Sequence, residues 1–159
     1  MTQPIPATLP APAQTTLTAW HAMLESGNMD ALDPLFADDV VFRSPVAHTA
    51  YPGRAATTLV LRTVNTVFED FRYHRSFATD DGASVVLEFS ANVSGKVLKG
   101  IDMIRFNADG KIVEFAQVVL NRDVLSCFSS DQQRCFIQLD VSVWLGRQPR
   151  EPVPDFVIH

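Results

Sequence analysis

Asp102 is the residue with the clearest capacity for chemistry. It lies in the segment VLKGIDMIRF, where alternation places it on the same strand face as apolar residues such as Ile104 and Phe106. Burial among apolar side chains disfavours a charged carboxyl group and raises its pKa. Asp102 is therefore a candidate acid or hydrogen-bond donor. The alternative is a carboxyl group that pairs with Trp20 or another donor only to satisfy a buried polar group.

Gln117 and His48 are the next polar candidates. Gln117 shares its strand face with Phe115 and Val119, so it can enter the same interior and orient a carbonyl or hydroxyl group; the alternative is a satisfied core amide. His48 and Tyr51 lie in the loop PVAHTAYPG, where a histidine can act as an acid or base near neutral pH. A loop histidine is more often simply an exposed surface residue.

Apolar side chains are expected to form the wall around these polar groups. The predicted wall residues are Phe42, Leu59, Leu87, Phe89 and Phe115. Their number favours an apolar ligand, although aromatic residues in such patterns usually mean core packing. His21 and His74 have no carboxylate at metal-ligand spacing, so neither a metal site nor a cofactor is predicted. The sequence also lacks a glycine-rich phosphate loop and a GxSxG nucleophile motif.

The hydrophobic pattern predicts three helices followed by an antiparallel meander, which is an α+β domain. The first helix begins at Thr15 or Thr16 and runs to about residue 25, a short second helix contains Pro34, and the third covers residues 54–70. A strand is expected at 40–44, between the second and third helices. Later strands are expected at 71–79, 84–93, 97–106 and 111–120.

Composition limits the class of protein. A chain of 159 residues is long enough for one core, and we predict a proline-rich arm at 1–13, a core domain at 14–122 and an extension at 123–159. An apolar content of 47% with 19% charged residues excludes a disordered chain. The net charge of −5, without a basic run, argues against a nucleic-acid partner.

The chain shows neither a secretory signal nor an apolar run of the ~20 residues that cross a bilayer. We therefore expect a cytoplasmic protein with no membrane partner. Cys127 and Cys135 lack CxxC spacing, so they are interpreted as buried or incidental thiols and not as zinc ligands. The segment CFIQLDVSVWL in the extension alternates as an added strand would.

Three segments of the chain resemble the nuclear transport factor 2-like superfamily, specifically its SnoaL-like and ketosteroid-isomerase-like branch. They are LESGNMDALDPLFADDVVFRSP, YPGR and LKGIDMIRFNADGKIVEF, in this order. The resemblance implies a cone: a strongly bent antiparallel sheet with three N-terminal helices that enclose a pocket. It also implies a homodimer formed through the outer face of the sheet.

One of three ketosteroid-isomerase site residues carries over. Those enzymes use a carboxylate at the end of the first strand as general base, and a helix tyrosine with a protonated aspartic acid as the oxyanion hole. Asp102 matches the aspartic acid. Ser44 stands at the first-strand position and cannot abstract a carbon-bound proton without its own base. Trp20 stands at the helix position and offers an indole N–H but no phenol.

The resemblance and these residues together favour a protein that binds a small apolar, oxygenated molecule. It would be an enzyme of the isomerase, cyclase, dehydratase or epoxide-hydrolase type, in which Asp102 acts with Trp20, Gln117 and either His48 or Tyr51. The missing base at Ser44 favours an alternative, a non-catalytic binding or dimerisation module of the same fold. A third hypothesis is that the extension mediates assembly by adding a strand to a neighbouring sheet.

Overall fold

The computed structural model describes residues 5–44 and 49–120. Helix α1 spans Ala11–Ser26 and helix α2 spans Arg54–Val67. Two single-turn 3-10 helices, Met29–Ala31 and Asp33–Leu35, connect α1 to the first strand. The strands are β1 (Phe36–Arg43), β2 (Tyr51–Pro52), β3 (Glu69–Ala78), β4 (Ser84–Val93), β5 (Lys96–Phe106) and β6 (Ile112–Val119).

The strands form one curved sheet in the order β2-β1-β6-β5-β4-β3. Strands β3 to β6 are antiparallel neighbours joined by short turns, as the meander pattern predicts. Strand β1 instead pairs in parallel with β6, so the otherwise antiparallel sheet contains one parallel pair that the sequence does not predict. The chain leaves β1 through β2 and α2, which allows β6 to return beside β1 in the same direction. The α+β class with a strongly bent sheet is confirmed.

The core lies between the two helices and one face of the sheet. Along β4 buried residues alternate with half-buried ones, so Leu87 and Phe89 both point into the interior. The larger apolar cluster joins Leu17 and Trp20 of α1 to residues of the sheet. A smaller cluster surrounds Phe89. Burial of such side chains, at about 1.5–3 kcal/mol each, holds the helices against the sheet.

Helix α1 begins four residues before Thr15, so its first turn occupies part of the predicted proline-rich arm. Pro10 is the N-cap, with φ −58°, and Pro12 lies in the first turn. A backbone N–H at this position would have no intrahelical acceptor, so its absence in proline costs no helix hydrogen bond. Leu9 and Ala13 on either side are buried. The prolines therefore start the helix and fix its entry into the core.

The other boundaries differ by a few residues. The predicted second helix is reduced to the two 3-10 turns, the second of which contains Pro34. Strand β1 begins earlier than expected, at Phe36. Helix α2 ends at Val67, before Asp70 with its positive φ of 50°. The added strand and both cysteines predicted for the extension lie outside the described residues, within which no helix is long and apolar enough to cross a membrane.

Gly110 in the β5–β6 turn packs against the start of α1. Its φ is +76°, and a Cβ added there would meet the backbone of Pro12. Gly95 in the β4–β5 turn has the same φ but open space around it. We predict that Gly110→Ala lowers the free energy of unfolding by about 1–3 kcal/mol more than Gly95→Ala does, because only the former adds a steric clash. Urea denaturation of both variants measures the difference, and equal losses would contradict the packing of Pro12 against this turn.

Candidate active site

Asp102 projects from the middle of β5 into the interior. It pairs across the sheet with Gln117 on β6 and with Leu87 on β4, and its side chain is buried. The sequence prediction of its orientation is confirmed by this burial. Because β5 is an inner strand with neighbours on both sides, the carboxyl group is held by a regular part of the sheet.

Two donors contact this carboxyl group directly, and a third reaches it through one of them. The Tyr73 hydroxyl donates to Oδ2 of Asp102 at 2.7 Å, and Nε2 of Gln117 donates to Oδ1 at 3.0 Å. The indole Nε1 of Trp20 donates in turn to the Tyr73 hydroxyl at 3.1 Å. We call these four residues the Asp102 network. Each carboxylate oxygen thus accepts one hydrogen bond, which offsets part of the cost of burial.

The network sets the protonation of its members. Burial raises the pKa of Asp102 to about 7, although the hydrogen bonds from Tyr73 and Gln117 favour the carboxylate and lower it. Burial, followed by the negative charge of Asp102, raises the pKa of Tyr73 well above its usual value. At neutral pH Tyr73 is therefore a phenol, while Asp102 is populated both as acid and as carboxylate. A group with such a pKa can both give and take a proton.

The Asp102 network borders two adjoining spaces. An interior cavity of about 30 Å³ is lined by all four network residues together with apolar side chains such as Phe115. A larger space of about 550 Å³, which we call the vestibule, lies between α1, α2 and β3. Four residues line both: Leu24, Asn65, Phe71 and Tyr73. Since the interior cavity has room for little more than a water molecule, a larger ligand must displace side chains at this shared boundary.

The structure brings together four of the predicted site residues. Asp102, Trp20, Gln117 and Phe115 all line the interior cavity. Ser44 directly follows Arg43, which pairs with Ala116, so it lies level with Gln117 at the end of β1 and is half-buried.

Four more predicted residues stand behind this cavity or beside it. Phe42 packs between Phe115, with ring centroids 5.7 Å apart, and Tyr51, at 6.0 Å. Leu87 and Phe89 are fully buried wall residues of the sheet, and Phe89 stacks on Phe71 at 5.2 Å. None of these four is among the residues that line the interior cavity.

Leu59 does not face the interior. Helix α2 buries the stripe formed by Thr57, Leu61 and Val64, and Leu59 lies about half a turn away from that stripe. Its side chain is 36% exposed, so its prediction as a wall residue is wrong. His48, the second predicted catalytic residue, lies outside the described residues.

Tyr73 and His21 belong to the site but were missed as site residues. Two irregularities in the pairing of β3 with β4, around Glu69/Arg72 and Tyr73/Arg75, break the alternation that would have identified the inward face of β3. His21 is buried on α1 and meets the Tyr73 ring edge-on, with centroids 5.4 Å apart. The usable signal was compositional, a lone tyrosine within the polar run FRYHRS. In the part of the chain that the structure describes, no group of three or more His, Cys, Asp or Glu residues is arranged to hold a metal ion.

Comparison with known proteins gives one family and several related folds. Residues 17–115 match the family model of the SnoaL-like domain. A steroid delta-isomerase from Pseudomonas aeruginosa is 44% identical, with a TM-score of 0.77, and the match covers 86% of this chain and 97% of that chain. An uncharacterised protein with a cystatin-like fold from Silicibacter pomeroyi is 25% identical, with a TM-score of 0.70, over 82% of this chain and 89% of that one.

A more distant likeness extends to SalBIII, an epoxide hydrolase/cyclase-like enzyme with a role in pyran ring formation in salinomycin. It is 18% identical, with a TM-score of 0.58, over 67% of this chain and 89% of that chain, so this likeness concerns the fold alone. Among curated proteins, no significant match to the chain is found.

Replacing the buried acid changes how stability depends on pH. The folded chain keeps the Asp102 proton up to about pH 7, whereas an unfolded chain releases it near pH 4. Between these values wild type loses stability as pH rises, by at most about 1.4 kcal/mol per unit, and Asp102→Asn lacks this loss. We predict that the unfolding free energy of wild type minus that of Asp102→Asn decreases as pH rises from about 4 to about 7. This difference should be constant above about pH 8. Urea denaturation at a series of pH values measures this difference, with Asp109→Asn in an exposed turn as the control. A difference that does not change with pH would contradict the raised pKa of Asp102.

Removing the Tyr73 hydroxyl is expected to raise the pKa of Asp102 further. In Tyr73→Phe the carboxylate loses the hydrogen bond at 2.7 Å that favours its charged form, while its burial remains. Carbon NMR titration of the Asp102 carboxyl group in the variant should therefore give a pKa above about 7. Tyr51→Phe, which alters a tyrosine outside the network, should leave the titration unchanged. An Asp102 pKa that falls in Tyr73→Phe would show that the hydroxyl does not support the carboxylate.

Proposed function

The chain belongs to the SnoaL-like domain family, and we propose that it is an isomerase that binds an apolar carbonyl compound beside Asp102 and moves a proton within it. The observation that carries this proposal is a buried carboxyl group with a pKa of about 7 at the wall of a cavity. The 44% identity to a steroid delta-isomerase supports the reaction type.

The Asp102 network supplies the electrophilic half of such a reaction. When Asp102 is protonated, it can donate to the Tyr73 oxygen, which also accepts from Trp20. In this state the phenol proton of Tyr73 can point into the cavity and donate to a ligand oxygen. In this state the network holds two acidic protons beside the place where a carbonyl oxygen would rest, and it carries no negative charge.

The protonation state of Asp102 decides whether a developing enolate is stabilised. An enolate oxygen beside a carboxylate would meet like-charge repulsion, whereas the same oxygen beside the neutral acid receives a hydrogen bond. Donors held in place in a site shielded from water are worth far more than donors in solution, about 10²–10³ in rate for a single one. The neutral acid is therefore the active form in this proposal.

The lining of the site indicates the kind of substrate. The boundary between the two spaces and the interior wall are mainly apolar, with Leu24, Phe71 and Phe115 among the lining residues. The vestibule volume of about 550 Å³ falls within the range of small-molecule pockets, roughly 300–1,000 Å³. Both features fit a molecule with an apolar body, one end of which carries the oxygen that reaches Asp102.

Ser44 separates this site from the mechanism of ketosteroid isomerases. By the sequence resemblance, Ser44 occupies the position at which those enzymes carry the carboxylate that acts as general base, so isomerisation here requires a base from elsewhere in the site. The same feature favours the second candidate function, a binding module without turnover. The two differ in one measurable respect, whether a bound ketone is converted.

We predict that wild type binds steroidal ketones and converts the β,γ-unsaturated isomer of androstenedione to the conjugated ketone. Binding raises the melting temperature by mass action, and conversion appears as ultraviolet absorbance of the conjugated product. Asp102→Asn should lose about 100-fold or more in kcat, because the amide is a far weaker acid, yet keep part of the melting shift as a hydrogen-bond donor.

Asp109→Asn, which changes an exposed aspartate remote from the cavities, serves as the matched control and should behave as wild type. Full kcat in Asp102→Asn would contradict the catalytic role of the acid. A melting shift of wild type without any conversion would instead support the non-catalytic binding module.

A further inference from the structure

We propose that His21 is the catalytic base of this site and accepts the proton that leaves the substrate carbon. This inference rests on the proposed function, since it assumes a carbonyl substrate held by Asp102 and Tyr73. It supplies the group that Ser44 does not provide.

The position of His21 is the first argument. Its side chain is only 5% exposed, yet it lines the vestibule. No hydrogen bond to either ring nitrogen is found within residues 5–44 and 49–120, and neither nitrogen is among the fully enclosed polar atoms that lack a partner there. A buried imidazole that keeps its nitrogens open towards a cavity is placed to receive a ligand and not to complete a hydrogen-bond network.

The relation of His21 to the Asp102 network is the second argument. The imidazole meets the ring of Tyr73 edge-on at 5.4 Å and 83°, while the hydroxyl of the same tyrosine bonds Asp102. Tyr73 lines both the vestibule and the interior cavity. A substrate that passes from the vestibule to Asp102 therefore has the acid at its oxygen end and the imidazole beside its body.

The charge state of His21 fits a base. Burial lowers its pKa, and Glu25, one turn further along α1, raises it in part. The other groups that line the vestibule around it are Asn65 from α2 and Arg72, Tyr73 and His74 from β3. The imidazole is consequently neutral at pH 7, the form that accepts a proton.

The proposed isomerisation consists of proton transfers alone and needs no co-reactant. A His21 nitrogen removes a proton from the carbon next to the carbonyl group, and the C–H electron pair forms the C=C bond of the enol. The carbonyl oxygen meanwhile receives a proton from the Tyr73–Asp102 pair. The imidazolium then returns its proton to the far carbon of the conjugated system, the enol proton goes back to Tyr73–Asp102, and the shifted double bond is the product.

The two groups work together only in a limited pH range. His21 must be neutral, so activity falls as pH drops through its lowered pKa. Asp102 must be protonated, so activity also falls as pH rises through about 7. A bell-shaped profile of kcat/KM follows, and its acid limb belongs to His21.

The test uses the full chain, the β,γ-unsaturated isomer of androstenedione, and the variants His21→Gln and His21→Ala. We expect kcat of His21→Gln to fall about 100-fold or more, with the probe-induced melting shift retained and the acid limb lost from its residual activity. Imidazole added to His21→Ala should restore part of kcat, because it can occupy the space left by the ring. Thr18→Ala, on the exposed side of the same helix, is the control and should match wild type.

Three other outcomes would overturn either the role of His21 alone or the proposed function together with it. Wild-type kcat and an unchanged acid limb in His21→Gln, while Asp102→Asn is inactive, overturn the role of His21 and leave the proposed function standing. Loss of both the melting shift and kcat, without rescue by imidazole, assigns His21 to packing and also overturns its role. A wild-type chain that neither binds nor converts the probe overturns the proposed function, and the role of His21 with it.

Discussion

The hydrogen bond from Tyr73 to Asp102 joins the edge strand of the sheet to an inner one, and the arrangement of the interior depends on it. A carboxyl group buried between apolar layers is tolerated only with partners, and here they come from α1, β3 and β6 through Trp20, Tyr73 and Gln117. Through these hydrogen bonds, α1 and β3 are tied to the inner strands β5 and β6. The compensation is incomplete, because burial outweighs the two hydrogen bonds and leaves the carboxyl group with a raised pKa.

The regular part of the fold could be predicted from the sequence because the strands near the centre of the sheet alternate cleanly. Strand β4 and the following strand show this pattern without interruption, so the burial of Asp102 follows from spacing alone. The family resemblance extended this to the order of elements and to the bent sheet. The start of α1 was misplaced because prolines indicate both a loose arm and the first turn of a helix, and only tertiary contacts distinguish them.

The candidate site was less predictable, for reasons that differ from residue to residue. Leu59 has the right chemistry for a wall residue, but its place half a turn from the buried stripe of α2 excludes it. Tyr73 was missed because local irregularity in β3 hides the strand period. From the sequence, His21 is considered only as a metal ligand, since its value as a base depends on a cavity that three separate elements create. Chemistry assembled across distant segments leaves no local pattern in the sequence.

The irregular backbone of β3 has a further consequence. Within residues 5–44 and 49–120 no strand pairs with the outer side of β3, and such an open edge is a template on which another chain can build an intermolecular sheet. Bulged pairing and the charged side chains of Arg72 and Arg75 make this edge a poor template. The register shifts on either side of Tyr73 thus also weaken β3 as a template for intermolecular pairing, so a mutation that regularised β3 would be expected to affect both the site and this edge.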